Sequence, residues 1–93
     1  MKNSDNGDPL IEMEQVKVYG TEWCPDCVRA KQVLGRHNVP FAWIDIESDE
    51  QALAYVQEVN GGYQSVPTIV FSDGSILVEP SNAELEAKLA GIK

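Results

Sequence analysis

The stretch that decides the fold is VKVYGTEWCPDCVRAKQVLGRH, Val16 to His37. Its first residues, with Val16, Val18 and Tyr19 apolar, read as a short strand over Val16 to Tyr19. Gly20 to Trp23 reads as a turn. From Cys24 to His37 the pattern changes, because Val28, Ala30, Val33 and Leu34 recur at near-helical spacing. Pro25 suits the first helical position, where its missing N–H would have no partner anyway. A strand therefore hands over to a helix at Trp23-Cys24-Pro25-Asp26-Cys27.

That location gives the two cysteines a chemistry. A thiolate is the nucleophilic form of cysteine, and unpaired N–H groups with a partial positive charge at a helix N-terminus favour it. Two intervening residues let both sulfurs meet within one turn. Cys24 is expected at the exposed mouth of the helix and Cys27 one turn inward, so Cys24 attacks and Cys27 resolves. Glu22 and Asp26 put negative charge beside the sulfur and oppose the thiolate, and Arg29, one turn away, offsets part of this. A C-x-x-C can also be half of a zinc site, but two further ligands are then required. The one histidine, His37, sits near the far end of the same helix, so no metal site is expected. Two inert core cysteines are the other alternative. A C-x-x-C beside a strand-helix-strand pattern favours the redox reading.

Working outward, Asn38 to Pro40 ends the helix and Phe41 to Ile46 reads as a second strand. A helical connection makes the first two strands parallel. Ser48 with Gln51 matches a capping box. The helix it opens carries Ala52, Leu53, Val56 and Val59 on one face and stops at Asn60-Gly61-Gly62. Thr68 to Phe71 is a third strand, and Pro67, which cannot donate to a sheet ladder, suits its first position. Ser72-Asp73-Gly74-Ser75 is a hairpin turn leading to a fourth, antiparallel strand over Ile76 to Val78. Ser81 and Glu84 form a second capping box, before a last helix with Leu85, Leu89 and Ile92 on its apolar face. Trp43, in the second strand, is expected in or beside the core, and His37 is a cation at a helix C-terminus. The order β-α-β-α-β-β-α predicts an α/β domain: a four-stranded mixed sheet with three helices on its two faces.

The length of 93 residues allows one domain. Residues 1–14, crowded with Asn, Asp, Gly and Pro, read as a disordered tail, and 15–93 as the folded domain. Apolar residues at 43% can build a core without disulfide staples. A net charge of -8, with no run of Lys and Arg, argues against nucleic-acid or anionic-membrane partners. The only two cysteines share one motif, MKNSDNGDPLIEME has no apolar signal core, and no segment reaches membrane-span length. The expected compartment is the cytoplasm.

From Val16 to about Ala90 the chain resembles a glutaredoxin. The resemblance rests on Tyr19-Gly20-Thr21-Glu22-Trp23-Cys24-Pro25-Asp26-Cys27, on Ser65-Val66-Pro67-Thr68 and on the element order. It implies a thioredoxin-like fold, a cis Val66–Pro67 bond, and attack by Cys24 on mixed disulfides between proteins and a low-molecular-weight thiol. In that picture a Val66 backbone turned outward pairs with the thiol substrate, and Gln64 and Ser65 face the same groove. Trp23 is either a substrate platform or a rim that shields the sulfur. No bound cofactor is implied, the small thiol is a cosubstrate, and a monomer is the family default. Val59-Asn60-Gly61-Gly62, Ser65-Val66-Pro67-Thr68, Phe71 and Asp73-Gly74-Ser75 are similar to the actinobacterial mycoredoxins, whose thiol is mycothiol.

Three departures stand out. Glutathione-using members commonly carry lysine where this chain has Thr21, which can hydrogen-bond substrate or serve the turn. They carry Gly-Gly and Asp after the fourth strand, where this chain reads Val78-Glu79-Pro80-Ser81-Asn82. Tyr is usual between the cysteines at the position of Asp26, so the rim here is more acidic. Mycothiol is therefore favoured over glutathione. One rival is a protein-disulfide reductant fed by thioredoxin reductase. Another is a non-enzymatic module that holds zinc or an iron–sulfur cluster.

Overall fold

The computed structural model describes residues 16–91. The expected tail, including Leu10 and Ile11, and Ile92 of the last apolar face lie outside the described residues. Among the described residues four strands and three helices follow in the order β1 (Val16–Gly20), α1 (Pro25–Arg36), β2 (Phe41–Asp45), α2 (Glu50–Val59), β3 (Thr68–Val70), β4 (Ile76–Val78) and α3 (Asn82–Gly91). The sheet order is β2-β1-β3-β4. β1 and β2 run parallel with Val18 opposite Trp43, while β3 pairs antiparallel with both β1 and β4.

Side chains alternate across a strand, and the alternation of β1 divides the core in two. Val16 and Val18 point into the larger cluster, with Ala30, Val33 and Leu34 of α1, Ile69 of β3, Phe71, and Leu85 and Leu89 of α3. Tyr19 points to the opposite face, where Ala52 and Val56 of α2 meet Ile46 and Ile44. Helices α1 and α3 thus share one face and α2 covers the other. Leu34, Leu85 and Leu89 are fully buried, each stabilising the fold by about 2 kcal/mol through lost apolar contact with water.

Several local expectations shift. Helix α1 begins at Pro25, with Cys24 as its N-cap and His37 as its C-cap. Val28 is exposed, because Cys27, Ala30, Val33 and Leu34 take the inward stripe and Val28 falls outside it. Val59, at the last turn of α2, is also exposed. The Ser48–Gln51 capping box does not form. Asp49 is the cap instead, its carboxylate accepting from the Gln51 and Ala52 N–H groups at 3.0 and 3.1 Å, while the Ser48 hydroxyl turns back to the Asp45 carbonyl. A carboxylate outcompetes a hydroxyl at a helix N-terminus because it carries charge as well as acceptors. Asp49→Ala is accordingly expected to cost about 1 kcal/mol in urea unfolding. Ser48→Ala should cost clearly less, and equal losses would reinstate Ser48 as the cap.

The other turn signals are used as expected. Ser81 N–H donates to Glu84 at 2.8 Å and Glu84 N–H to the Ser81 hydroxyl at 3.1 Å. At the hairpin, Gly74 N–H donates to the Phe71 carbonyl, and Gly74 has φ +90°, which a side chain would resist. The Asp73 carboxylate holds the Lys88 ammonium of α3 at 2.8 Å. That cation, with two hydrogen bonds from Ser75, holds the Asp73 carboxyl far below the ordinary carboxylate range. The contact is complete above that range and is lost only in strong acid.

Candidate active site around Cys24 and Cys27

Strand β1 ends at Gly20, and five residues later the chain enters α1 at Pro25, so the β1–α1 turn sets the two cysteines against the sheet. Cys24 caps the helix with its sulfur: Cys27 N–H donates to Cys24 Sγ at 3.2 Å. The sulfur thus has a hydrogen-bond donor at the positive end of the helix. Both cysteines are free thiols. Cys24 is not at an exposed mouth, since its residue is only 5% exposed and Cys27 is fully covered.

Across the site the Val66–Pro67 bond is cis. Cys24 Sγ lies 3.9 Å from the Val66 carbonyl oxygen, within reach of a weak S–H donation. Among the described residues the Val66 N–H has no backbone partner. The segment is positioned from behind by Thr68, fully buried, whose hydroxyl donates to the Ser65 carbonyl at 2.7 Å and accepts from Asn60 Nδ2 at 3.1 Å. The end of α2 and the start of β3 thereby fix the strand that faces the thiol. Gln64 is exposed and Ser65 half-buried beside it.

The acidic residues of the rim are tied up. Asp26 pairs with Arg29 at 3.0 Å. Glu22 accepts from Trp43 Nε1 at 3.1 Å, and Trp23 Nε1 donates to Glu47 at 3.0 Å. Two successive turn residues therefore clasp β2 and its exit through carboxylate–indole hydrogen bonds of opposite sense. Trp23 stays 68% exposed while its N–H is anchored. Sequence reading leaves Glu47 unassigned, because 23 residues separate it from Cys24 and only the parallel pairing of β1 and β2 brings it near.

Thr21 carries its carbonyl to the Cys24 N–H at 3.4 Å. Its side chain is buried, and the hydroxyl has no hydrogen-bond partner among the described residues. It is not presented to solvent for a substrate. Thr21→Val is expected to leave stability unchanged or to raise it by up to about 1 kcal/mol, since a shape-matched apolar group relieves an unmet buried hydroxyl. A clear loss in urea unfolding would show that the hydroxyl has a partner.

Cys27 lies under this surface. Burial, the hydrogen bond with Cys24 and its negative charge push the Cys27 thiol up to about 12, while the Thr21 backbone and Lys31 pull the other way. Cys27 therefore keeps its proton near neutral pH beside Cys24. Lys31 Nζ sits 3.8 Å from the centre of the Trp43 ring. No group of three or more metal-ligating side chains occurs among the described residues. No described helix is long and apolar enough to cross a membrane.

The family model for glutaredoxin matches residues 16–76. A Mycobacterium tuberculosis protein that carries a glutaredoxin name is 43% identical over 75 residues, 81% of this chain and 89% of its own length. Mycoredoxin 1 of Corynebacterium glutamicum is 36% identical over 80 residues, 86% of this chain and 99% of its own. Among solved structures, a thioredoxin-like protein superposes with a TM-score of 0.69 at 29% identity, covering 81% of this chain and 99% of its own. A glutaredoxin of Archaeoglobus fulgidus gives 0.64 at 27% identity, with coverages of 92% and 96%.

Proposed function

The chain belongs to the glutaredoxin family of thiol–disulfide oxidoreductases, and on that premise we propose that it reduces mixed disulfides between proteins and a low-molecular-weight thiol, with mycothiol preferred to glutathione. The observation that carries this reading is the Cys24 sulfur, held between the Cys27 N–H and the Val66 carbonyl. An extended disulfide laid along Val66 and Pro67 pairs with the free Val66 N–H and brings a sulfur to Cys24. Trp23, Gln64 and Ser65 line the approach, and Pro25 and Asp26 shape the turn that presents the thiol.

In the first step the Cys24 thiolate attacks the small-thiol sulfur of the mixed disulfide. The protein thiolate leaves and takes up a proton, and Cys24 becomes joined to the small thiol. A second small-thiol thiolate then attacks that adduct at the small-thiol sulfur, which releases the Cys24 thiolate and a disulfide of two small thiols. In the alternative route Cys27 displaces the small thiol and closes a Cys24–Cys27 disulfide, which an external reductant reopens. Burial of Cys27 in its protonated form favours the first route.

The preference for mycothiol rests on charge. Glutathione carries two carboxylates, whereas mycothiol, a cysteine derivative of an amino sugar and inositol, carries none. Near Cys24, Arg29 is paired with Asp26 and Lys31 is held over Trp43. Thr21 stands where glutathione-using members commonly carry lysine. After β4 the Ser81–Glu84 box uses the N–H groups of both residues. Among the described residues near Cys24 a carboxylated thiol thus meets acidic groups and no cation outside these contacts, while an uncharged polyol gives up nothing. We place the reaction in the cytoplasm, where thiols stay reduced, on a monomeric domain of residues 15–93.

Turnover on two matched mixed disulfides, one of mycothiol and one of glutathione, tests this with Cys24→Ser as the blank. At least a tenfold preference for mycothiol is expected, about 1.4 kcal/mol of discrimination. Preference for glutathione would refute the assignment of the thiol. Activity on neither, with reduction by thioredoxin reductase, would replace the reading with a protein-disulfide reductant.

A further inference from the structure

Once Cys24 is joined to another sulfur, Cys27 must lose its proton before it can resolve the adduct. Among the causes that hold the Cys27 proton, the hydrogen bond with Cys24 and the Cys24 negative charge exist only while Cys24 is a free thiolate. In the mixed disulfide both are gone. Burial then remains, opposed by the Thr21 backbone and by whatever cation lies close.

Lys31 is four residues after Cys27, one turn further along the same face of α1. The ring of Trp43 connects the two. An ideal Cβ placed on Gly20 would lie 2.5 Å from Cys27 Sγ and 2.8 Å from Trp43 Cη2, so thiol and indole converge on the same point of β1. Lys31 Nζ sits 3.8 Å from the centre of that indole, a close cation–π contact. The Glu22 carboxylate bonds the Nε1 of the same ring. Nε1 belongs to the five-membered ring and Cη2 to the six-membered ring, so Glu22 is bonded to the ring that does not meet the Gly20 niche. The titratable and charged groups facing Cys27 are therefore Cys24 at the N-cap of α1, Lys31 on α1 and, across the indole, Glu22 of the β1–α1 turn. β2 contributes the uncharged Trp43, and β1 contributes Gly20.

We propose that Lys31, held over Trp43, is a positioning residue for the resolving step: it favours the Cys27 thiolate in the state where Cys24 is tied up in a mixed disulfide. The inference rests on the assignment of Cys24 as attacker and Cys27 as resolver. The step balances as an exchange. The Cys27 proton passes to solvent, Cys27 Sγ attacks Cys24 Sγ, the Cys24–small-thiol bond breaks, and the small thiol leaves as thiolate. When the internal disulfide is reopened, Cys27 is the leaving group, and the same cation stabilises it.

Closure can be followed by mixing reduced protein with a nitrothiobenzoate disulfide. One coloured thiolate is released as Cys24 attacks and a second as Cys27 closes the ring, and Cys27→Ser identifies the second burst by losing it. Loss of the cation raises the Cys27 thiol pKa; each unit of such a rise lowers the thiolate fraction about tenfold, and the greater nucleophilicity of the more basic sulfur recovers about threefold of this. Lys31→Met is thus expected to slow the second burst relative to the first, by up to about threefold. Its rate is expected to match wild type again only at a higher pH, and Lys31→Arg should retain the wild-type ratio. An unchanged second burst in Lys31→Met overturns the proposal. So does equal slowing of both bursts, which would place Lys31 on Cys24 or on the reagent. The reagent contains neither mycothiol nor glutathione, so a wrong assignment of the small thiol would show in the turnover comparison and not here.

Discussion

Cys24→Ser is expected to bring turnover of a protein–small-thiol mixed disulfide down to the blank, while Cys27→Ser keeps most of the wild-type rate. The asymmetry follows from the surroundings of the two sulfurs. Cys24 caps α1, and its sulfur receives the Cys27 N–H at 3.2 Å. A serine there would cap the helix as well or better, so the variant should fold. Its hydroxyl, however, stays protonated near neutral pH and cannot enter a disulfide. Cys27 is fully buried and its thiol is pushed up to about 12, so it contributes little thiolate near neutral pH and cannot substitute for Cys24. The measurement is turnover of one mixed disulfide by wild type and both variants, with folding checked by circular dichroism. Equal loss in the two would mean that the internal disulfide is obligatory. Activity remaining in Cys24→Ser would remove Cys24 from the role of attacker.

The second large effect is expected from the smallest substitution. Gly20→Ala should destabilise the protein by about 2 kcal/mol, the order seen when one methyl is forced into a filled site. Gly20 follows Val16 and Val18 on the face of β1 that looks toward α1. The added Cβ would come within 2.5 Å of Cys27 Sγ and 2.8 Å of Trp43 Cη2, closer than real carbon contacts allow. No positive φ is required at Gly20, so alanine meets no backbone penalty. The lower chain entropy of alanine would by itself raise stability by about 0.4–1 kcal/mol. The clash decides the sign. Relief requires either the indole or the Cys27 sulfur to move, so the variant should also change the rate at which Cys27 closes on Cys24. Urea unfolding with an unchanged slope tests the first effect, and the second nitrothiobenzoate burst tests the other. A variant as stable as wild type would show that the site yields and that the packing around Cys27 is loose.

Much of the fold is legible because its signals are local. The strand-to-helix handover at Cys24, the Asp73-Gly74 turn, the Asn60-Gly61-Gly62 stop and the Ser81–Glu84 box each lie within a few residues. Pattern and turn chemistry are enough to read them. Locality also explains the misplaced cap of α2. Ser48 and Asp49 are adjacent and both competent, and the choice depends on the Asp45 carbonyl, which draws the Ser48 hydroxyl away. Val28 departs from expectation for a similar reason. A stripe counted from apolar residues alone includes it, whereas the inward face is set by where Cys27 must sit.

The sequence by itself determined the element order, the positions of the two cysteines on a helix terminus and the family to which the motif belongs. Only the tertiary structure decided what surrounds them. The parallel pairing of β1 with β2 carries Trp43 and Glu47 to the turn that holds Glu22 and Trp23. It also brings the Trp43 indole under Lys31 and beside the niche of Cys27, while Cys24, which its place at the helix mouth suggests is exposed, is buried. A sequence pattern reports the face on which a residue lies, because that follows from the period of its own helix or strand. Which distant residue shares that face depends on how the sheet is ordered and on the space left at one glycine.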